Sequence, residues 1–559
     1  MPDRNDRLRM EVLKGRCLSA LGETKKALRV VESVVKEGMK LEENREVVID
    51  ALILKAGISV ELFQMDKAFE ACEQAEQLRN DLPTDYESLL ESIRASILFF
   101  KSICFYYKDD IHKALEYALE SLSIREQLRD MPQVVGSLMQ VGHLQFHMDD
   151  IQMLEYFDRA LQLSKEIGKK GPELGALLYK GMMQGRMGNW NEAKELLTRG
   201  INLAREYDWP SDIPKFLFAF ALLYQSMGNY QRAEEYYREC LTISEKRDTR
   251  LFVAMCSGNL GEIHKAQGRL DEALAGFEVS MKINKEMGRL TAYVWGLGNC
   301  GMIQYARGNL DEALTLLEGA LTLAKERREA GLLASYFKWG ILFIVQVLID
   351  KGRVEEAQHY VEDLRHIMQG ERDVLDNQIY QTSLAIVLKS SAVARNKALA
   401  KEYLTGVVEG ELRDNEIAIL AYLLLCDLLV EDLKLSGDRG LLDELKWRLA
   451  SLMDTAIEQG SASLQAEALI LQSKVTLLEF DTEMSDKLLT QAHVLAKKRG
   501  LDRLVGRVES EHKMLLDEMS LWKELEDEKP ALSEMTERLR INEQIGQMRQ
   551  QGIWRKMLF

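Results

Sequence analysis

Residues 258–284 read GNLGEIHKAQGRLDEALAGFEVSMKIN, and the spacing inside this stretch decides the fold. A first helix is expected to run into Gly268, a residue free to take the left-handed conformation that closes a helix end. Asp271 and Glu272 then fall in the first turn of a second helix, where carboxylates suit the positive end of the helix dipole. Gly261, Ala273 and Ser280 are small enough to let neighbouring backbones approach closely. Phe277, four residues after Ala273, fills the space they leave.

The same spacing recurs outward from this stretch. Gly188, Gly228, Gly268 and Gly308 stand 40 residues apart, as do Ala193, Ala233, Ala273 and Ala313. A third series of small residues runs through Ala160, Gly200, Cys240, Ser280 and Ala320, and a fourth through Gly181, Ala221, Gly261 and Gly301. Large residues recur at Phe157, Leu197, Tyr237 and Leu317, matching Phe277. Less regular units extend the series upstream through Gly22/Ala27, Asp66/Ala68, Asp109/Ala114 and Asp149/Met153. Downstream they continue through Gly352/Ala357, a unit near Asn396, one with the loop 436–440, and one turning near Asp481. Pro132 and Pro172 fall between units, where a helix starts afresh.

Leu260-Gly261-x-x-His264 followed by Ala273-x-x-x-Phe277, with Ala233-x-x-x-Tyr237 repeating the second half, resembles the tetratricopeptide repeat (TPR). The period of 40 departs from the usual 34. It is similar to the long-helix arrays of kinesin light chains, peptide-sensing receptors and some bacterial sensor domains. The resemblance implies an all-α, right-handed α-solenoid of about twelve helix pairs with a C-terminal capping helix. The sequence divides into less regular repeats over 1–170, regular repeats over 171–370, less regular ones over 371–500, and a cap with an amphipathic tail over 501–559. The cap carries Leu504, Val508, Leu515, Met519 and Trp522 on one side. The tail weakly resembles those of large archaeal TPR proteins.

Composition narrows the function. The chain has 559 residues, with 73 Lys and Arg against 89 Asp and Glu, a net charge of −16. That surplus repels phosphate, so nucleic acid is not an expected ligand. Apolar runs such as Gly340–Val345 and Tyr422–Leu425 fall short of the ~20 residues a membrane helix needs. The charged start, MPDRNDRLRMEVLKG, lacks a signal-peptide core. Seven scattered cysteines without a C-x-x-C pair point to a reducing, cytoplasmic setting.

Three patterns bear on chemistry. Gly296-Leu-Gly-Asn-Cys-Gly301 spells the dinucleotide fingerprint, but it lies within a helix and lacks both the preceding strand and the later acidic residue. His143-x-x-x-His147, followed by Asp149 and Asp150, puts two imidazoles on one helix face as metal sites do, but no third ligand is defined. We therefore expect a groove-facing polar pair, with no metal and no cofactor. No P-loop, G-x-S-x-G or kinase signature appears, and catalysis is not expected.

Recognition remains. In TPR proteins the first helices line a concave groove, and by that resemblance the groove here would present sixteen side chains. They are Tyr106, Tyr107, His143 and His147, then Met182 and Arg186, then Lys215, Phe218 and Leu222. Asn259, Glu262 and Lys265 follow, then Trp295, Asn299, Met302 and Tyr305. Aromatic and Met side chains supply adaptable apolar contact, and Arg or Lys can hold a carboxylate. Asn259 and Asn299 are a candidate pair for gripping the backbone of an extended peptide, the alternative being bonds to the neighbouring helix. The expected partner is a peptide or helical segment of another protein, with basic residues to suit the acidic exterior. The segment 531–559, with a Leu/Met stripe and Arg538, Arg540, Arg549 and Arg555, is a candidate to dock in the groove itself. The alternative is a ligand- or peptide-sensing module that signals through superhelix shape.

Overall fold

The computed structural model describes residues 4–517 apart from short linkers at 21–22, 41–44, 63, 83–86, 109, 149–150, 169, 248, 327–330, 369–373, 411–413, 437 and 480. Gly22, Asp109, Asp149, Asp150, Met519, Trp522 and the 531–559 tail therefore lie outside the described residues. Within them, twenty-five α-helices run from Arg4–Ala20 to Asp502–Asp517, with no strand. They form twelve antiparallel pairs and a final unpaired helix.

The turn chemistry follows the glycine series. Gly188, Gly228, Gly268, Gly308 and Gly352 all have positive φ, between 72° and 78°. At Gly268 its amide bonds Lys265 O at 3.0 Å and the next amide, of Arg269, bonds His264 O at 2.8 Å. This double bond pattern satisfies carbonyls that the helix end would otherwise strand. Small residues then set the spacing inside each pair. A methyl group on Gly261 would lie 3.1 Å from Phe277, on Gly181 2.8 Å from Leu197, and on Gly301 2.8 Å from Leu317. Phe157, Leu197, Tyr237, Phe277 and Leu317 are all buried at these close approaches. The dinucleotide-like glycines lie within the helix Leu290–Ala306, as the packing argument requires.

Between most pairs, the first helix packs on the first helix of the next pair, whereas the second helices do so far less. The array therefore curves with its first helices inside. The curvature is tight enough to bring successive turns of the superhelix edge to edge. Gly228 faces Gln459; Gly268 faces Ala462, Arg499 and Leu501; Gly308 faces the backbone of Arg503. Leu270, Ala273, Phe277, Cys300 and Ile303 share one apolar cluster with Ala466, Ala496, Leu501 and Leu504. Polar contacts close the same seam: Lys265 Nζ lies 3.4 Å from Glu416, and Arg503 lies 3.4 Å from Asp350 with its guanidinium 4.7 Å from the centre of the Tyr305 ring.

Candidate binding groove

The inner wall of the third to fifth pairs gathers an aromatic and imidazole cluster. Tyr106 and Tyr107 end the helix Glu87–Tyr107, and His143 and His147 end the next inner helix, Met131–His147. The four-residue spacing stacks the imidazoles on one face, with Nε2 atoms 3.1 Å apart. Tyr106 Oη lies 2.8 Å from His147 Nε2. Tyr179, from the following inner helix, packs against His143 with ring centres 5.1 Å apart and stacks on Phe157. All five polar rings are half-buried.

Their surroundings disfavour charge on the imidazoles. Burial pulls His143 down to about 4. Burial, then His143, Arg186 and Arg289, pulls His147 down to about 3. Both rings are therefore neutral at physiological pH. Burial raises Tyr107, opposed by Arg289, and raises Tyr179. Arg186 donates to Phe146 O at 3.0 Å and lies over the Phe146 ring.

Tyr179 also lines a cleft of about 370 Å³ between the inner helices Lys170–Arg186 and Ile213–Ser226. Leu174, Leu178, Trp209 and Phe216 give it apolar walls, Gly171 and Gly175 a bare side, and Lys215 and Asp212 a charged rim. Lys215 is exposed and bonds Asp212 at 2.6 Å. Met182 and Leu222 are half-buried on the same inner helices. Tyr179 and Trp209 were not among the residues expected from sequence. The available signal was the connection 207–212, which is longer than 247–249 and includes Asp208 at φ 52°.

Further along, the expected groove residues are engaged within the protein. Phe218 is buried in the core against Tyr237 and Phe252, so it packs between helices instead of facing the groove. Asn259 donates to Met255 O at 2.8 Å on its own helix. Asn299 is buried, donates to Trp295 O at 3.2 Å and accepts from Lys265 at 2.8 Å. The candidate gripping pair thus has its donors satisfied by its own helices. Glu262 accepts from Trp295 Nε1 at 2.7 Å and from Gln225 at 3.3 Å, and burial raises its carboxyl. Trp295 packs edge-on to Trp339, and Met302 is half-buried against the same core. Tyr305 is buried and donates to Asp350 at 2.7 Å. Two of the expected groove residues also meet the superhelical seam: Lys265 through Glu416 and Tyr305 through Arg503.

Among the described residues no three or more His, Cys, Asp or Glu side chains are grouped to hold a metal ion. None of the described helices is long and apolar enough to cross a membrane. Six cysteines are buried and Cys17 is exposed.

Comparison with known proteins agrees with the architecture. The family described as the MalT-like TPR region matches residues 177–505, more than half of the chain. The chain belongs to this family of TPR arrays. A shorter match, over 138–209, is to anaphase-promoting complex subunit 5. No curated protein matches the sequence. Among solved structures, a Rap protein complexed with competence and sporulation factor is 14% identical, with a TM-score of 0.49, over 65% of this chain and 98% of that one. The apo quorum sensor NprR from B. thuringiensis is 14% identical, with a TM-score of 0.36, over 76% of this chain and 100% of that one. A STAND protein with a TPR sensor, PH0952 from Pyrococcus horikoshii, is 14% identical, with a TM-score of 0.36, over 58% and 50% of the two chains.

Proposed function

We propose that the protein is a recognition module whose inner wall, over the third to sixth helix pairs, receives a segment of another protein. The observation that carries this reading is the cleft joined through Tyr179 to the Tyr106–His143–His147 cluster. A cleft with apolar walls and a charged rim suits one anchoring side chain, with the rings beside it offering edge and face contacts to the adjoining chain. Lys215 and Arg186 favour a carboxylate near that anchor. The tail 531–559 is a second candidate occupant, since its Leu/Met stripe offers anchors of the same kind.

The test places a photo-crosslinking amino acid at Lys215 and, as a control, at Leu435, which is exposed. The reading expects one dominant protein adduct from native lysate at 215 that is absent at 435. It also expects loss of that adduct on Gly171→Leu, a change that fills the cleft where a Cβ meets nothing within 4 Å. Equal adducts at both positions, or an adduct indifferent to Gly171→Leu, would sink it. An adduct within the chain, to 531–559, would identify the tail as occupant.

The cleft volume favours a second reading, a small-molecule or signalling-peptide sensor. At about 370 Å³ it falls at the lower end of the ~300–1,000 Å³ of ligand pockets. A metabolite that raises the thermal midpoint of the wild type but not of Gly171→Leu would favour it.

A further inference from the structure

We propose that His143, His147 and Tyr106 together form a binding site for a late first-row divalent ion, Cu²⁺ or Zn²⁺, a role beyond the segment binding proposed above. The sequence offered two imidazoles and no third ligand. The fold supplies the third donor by laying the end of the helix Glu87–Tyr107 against the end of Met131–His147.

The geometry suits coordination. Metal–imidazole bonds of about 2.0–2.1 Å put neighbouring donors about 2.9 Å apart in a square arrangement and about 3.3 Å apart in a tetrahedral one. The two Nε2 atoms are 3.1 Å apart, and Tyr106 Oη is 2.8 Å from His147 Nε2. Imidazole nitrogens with a phenol oxygen suit copper and zinc better than magnesium or calcium. Rings packed on every side hold the donors: Tyr106 against Tyr107, His143 against Tyr179, His147 against Phe146. The three donor residues are half-buried.

Charge sets the strength. Arg186 and Arg289 lie near His147, and coordination uses the unprotonated imidazole. The same guanidiniums repel a divalent ion, so micromolar affinity is expected where a fully anionic site would be tighter. Binding places each imidazole proton on Nδ1, and a coordinated Tyr106 releases its hydroxyl proton to solvent.

The experiment titrates Cu²⁺ alone into the full chain carrying Cys17→Ser, which removes the exposed thiol, following heat and visible absorption. One saturable site is expected, weakened at least about tenfold by His143→Gln or by His147→Gln. Tyr106→Phe is expected to keep part of the affinity but abolish the phenolate-to-copper charge-transfer absorption, a signature that mere packing by Tyr106 would not produce. Each variant is compared with wild type for metal-free helicity and thermal midpoint. No saturable binding by about 100 µM, or unchanged binding in the doubly substituted His143→Gln/His147→Gln chain, overturns the proposal. Neither result bears on the crosslink at Lys215, so the two readings fail separately.

Discussion

Replacing Arg503 with Ala tests whether the superhelical seam holds the array closed. Arg503 reaches Glu467 at 3.1 Å and Asp350 at 3.4 Å, and its guanidinium covers Tyr305. Its side chain is 27% exposed, so these are partly desolvated contacts. Removing one partner of a buried ion pair costs about 3–5 kcal/mol, mainly because the other charge is left alone. Here neither carboxylate is abandoned. Glu467 keeps its ion pair with Arg507, and Asp350 keeps the Tyr305 hydroxyl at 2.7 Å. About half the cost should remain, ~2 kcal/mol, or roughly a thirtyfold rise in the population of the opened seam. Hydrogen exchange reads this directly, since local opening lowers protection only in segments that open. Protection should fall about thirtyfold in 300–308 and 459–467, with little change in 45–80. Arg503→Lys, which keeps the charge but not the fork, should fall between the two. Unchanged protection at 300–308 would refute the seam as an energetic unit.

Three further outcomes follow from the same geometry. Because His143 and His147 bind protons more weakly folded than unfolded, stability falls as pH drops from about 6.5 towards 4, by about 2 kcal/mol once their half-exposure is discounted. The thermal midpoint of this region should fall over that window, and His143→Gln/His147→Gln should flatten the slope. Glu262 behaves oppositely, because burial raises its carboxyl: its stabilising share is present at low pH and is lost as pH rises through the folded value. Glu262→Gln should therefore raise the midpoint more at pH 8 than at pH 5. Gly268→Val forces a branched residue to φ 73° and sets it against Ala462 and Leu501. It should cost about 1–3 kcal/mol in denaturant melts, and a neutral result would deny the turn its role.

The repeat was legible because it is local. Gly268, Ala273 and Phe277 act within one helix pair, and their 40-residue spacing repeats the same contact. Tyr106, His143, His147 and Lys215 fall on first helices of their pairs, where the TPR resemblance put them. The seam was not legible. Lys265 meets Glu416 and Arg503 meets Asp350 across some 150 residues, and no period links them. Asn299 and Tyr305 carry the pattern of groove residues, yet Asn299 is engaged by Lys265 and its own helix, and Arg503 from the next turn of the superhelix lies over Tyr305. Tyr179 was passed over because its ring is partly buried by stacking on Phe157, a contact between neighbouring repeats.

Charge pairing explains why the proposed site lies in the third to sixth pairs and not further along. The inner helices from residue 374 onward also present charges to the axis, but they pair among themselves. Asp427 takes Lys389 at 2.5 Å, Lys474 at 3.5 Å and Arg507 at 3.8 Å. Burial alone would raise its carboxyl, and these three cations outweigh that, holding it well below the usual carboxylate range. Lys474 in turn reaches Glu511 at 2.8 Å, and Lys338 pairs with Asp376 in a buried position. A ligand entering there would have to break a pair before making one, at about 3–5 kcal/mol for each charge left alone. The cleft beside Tyr179 asks for no such exchange: its walls are apolar, and the ion pair of Lys215 with Asp212 stands at the rim. Recognition is favoured where a newcomer displaces water and not an existing partner.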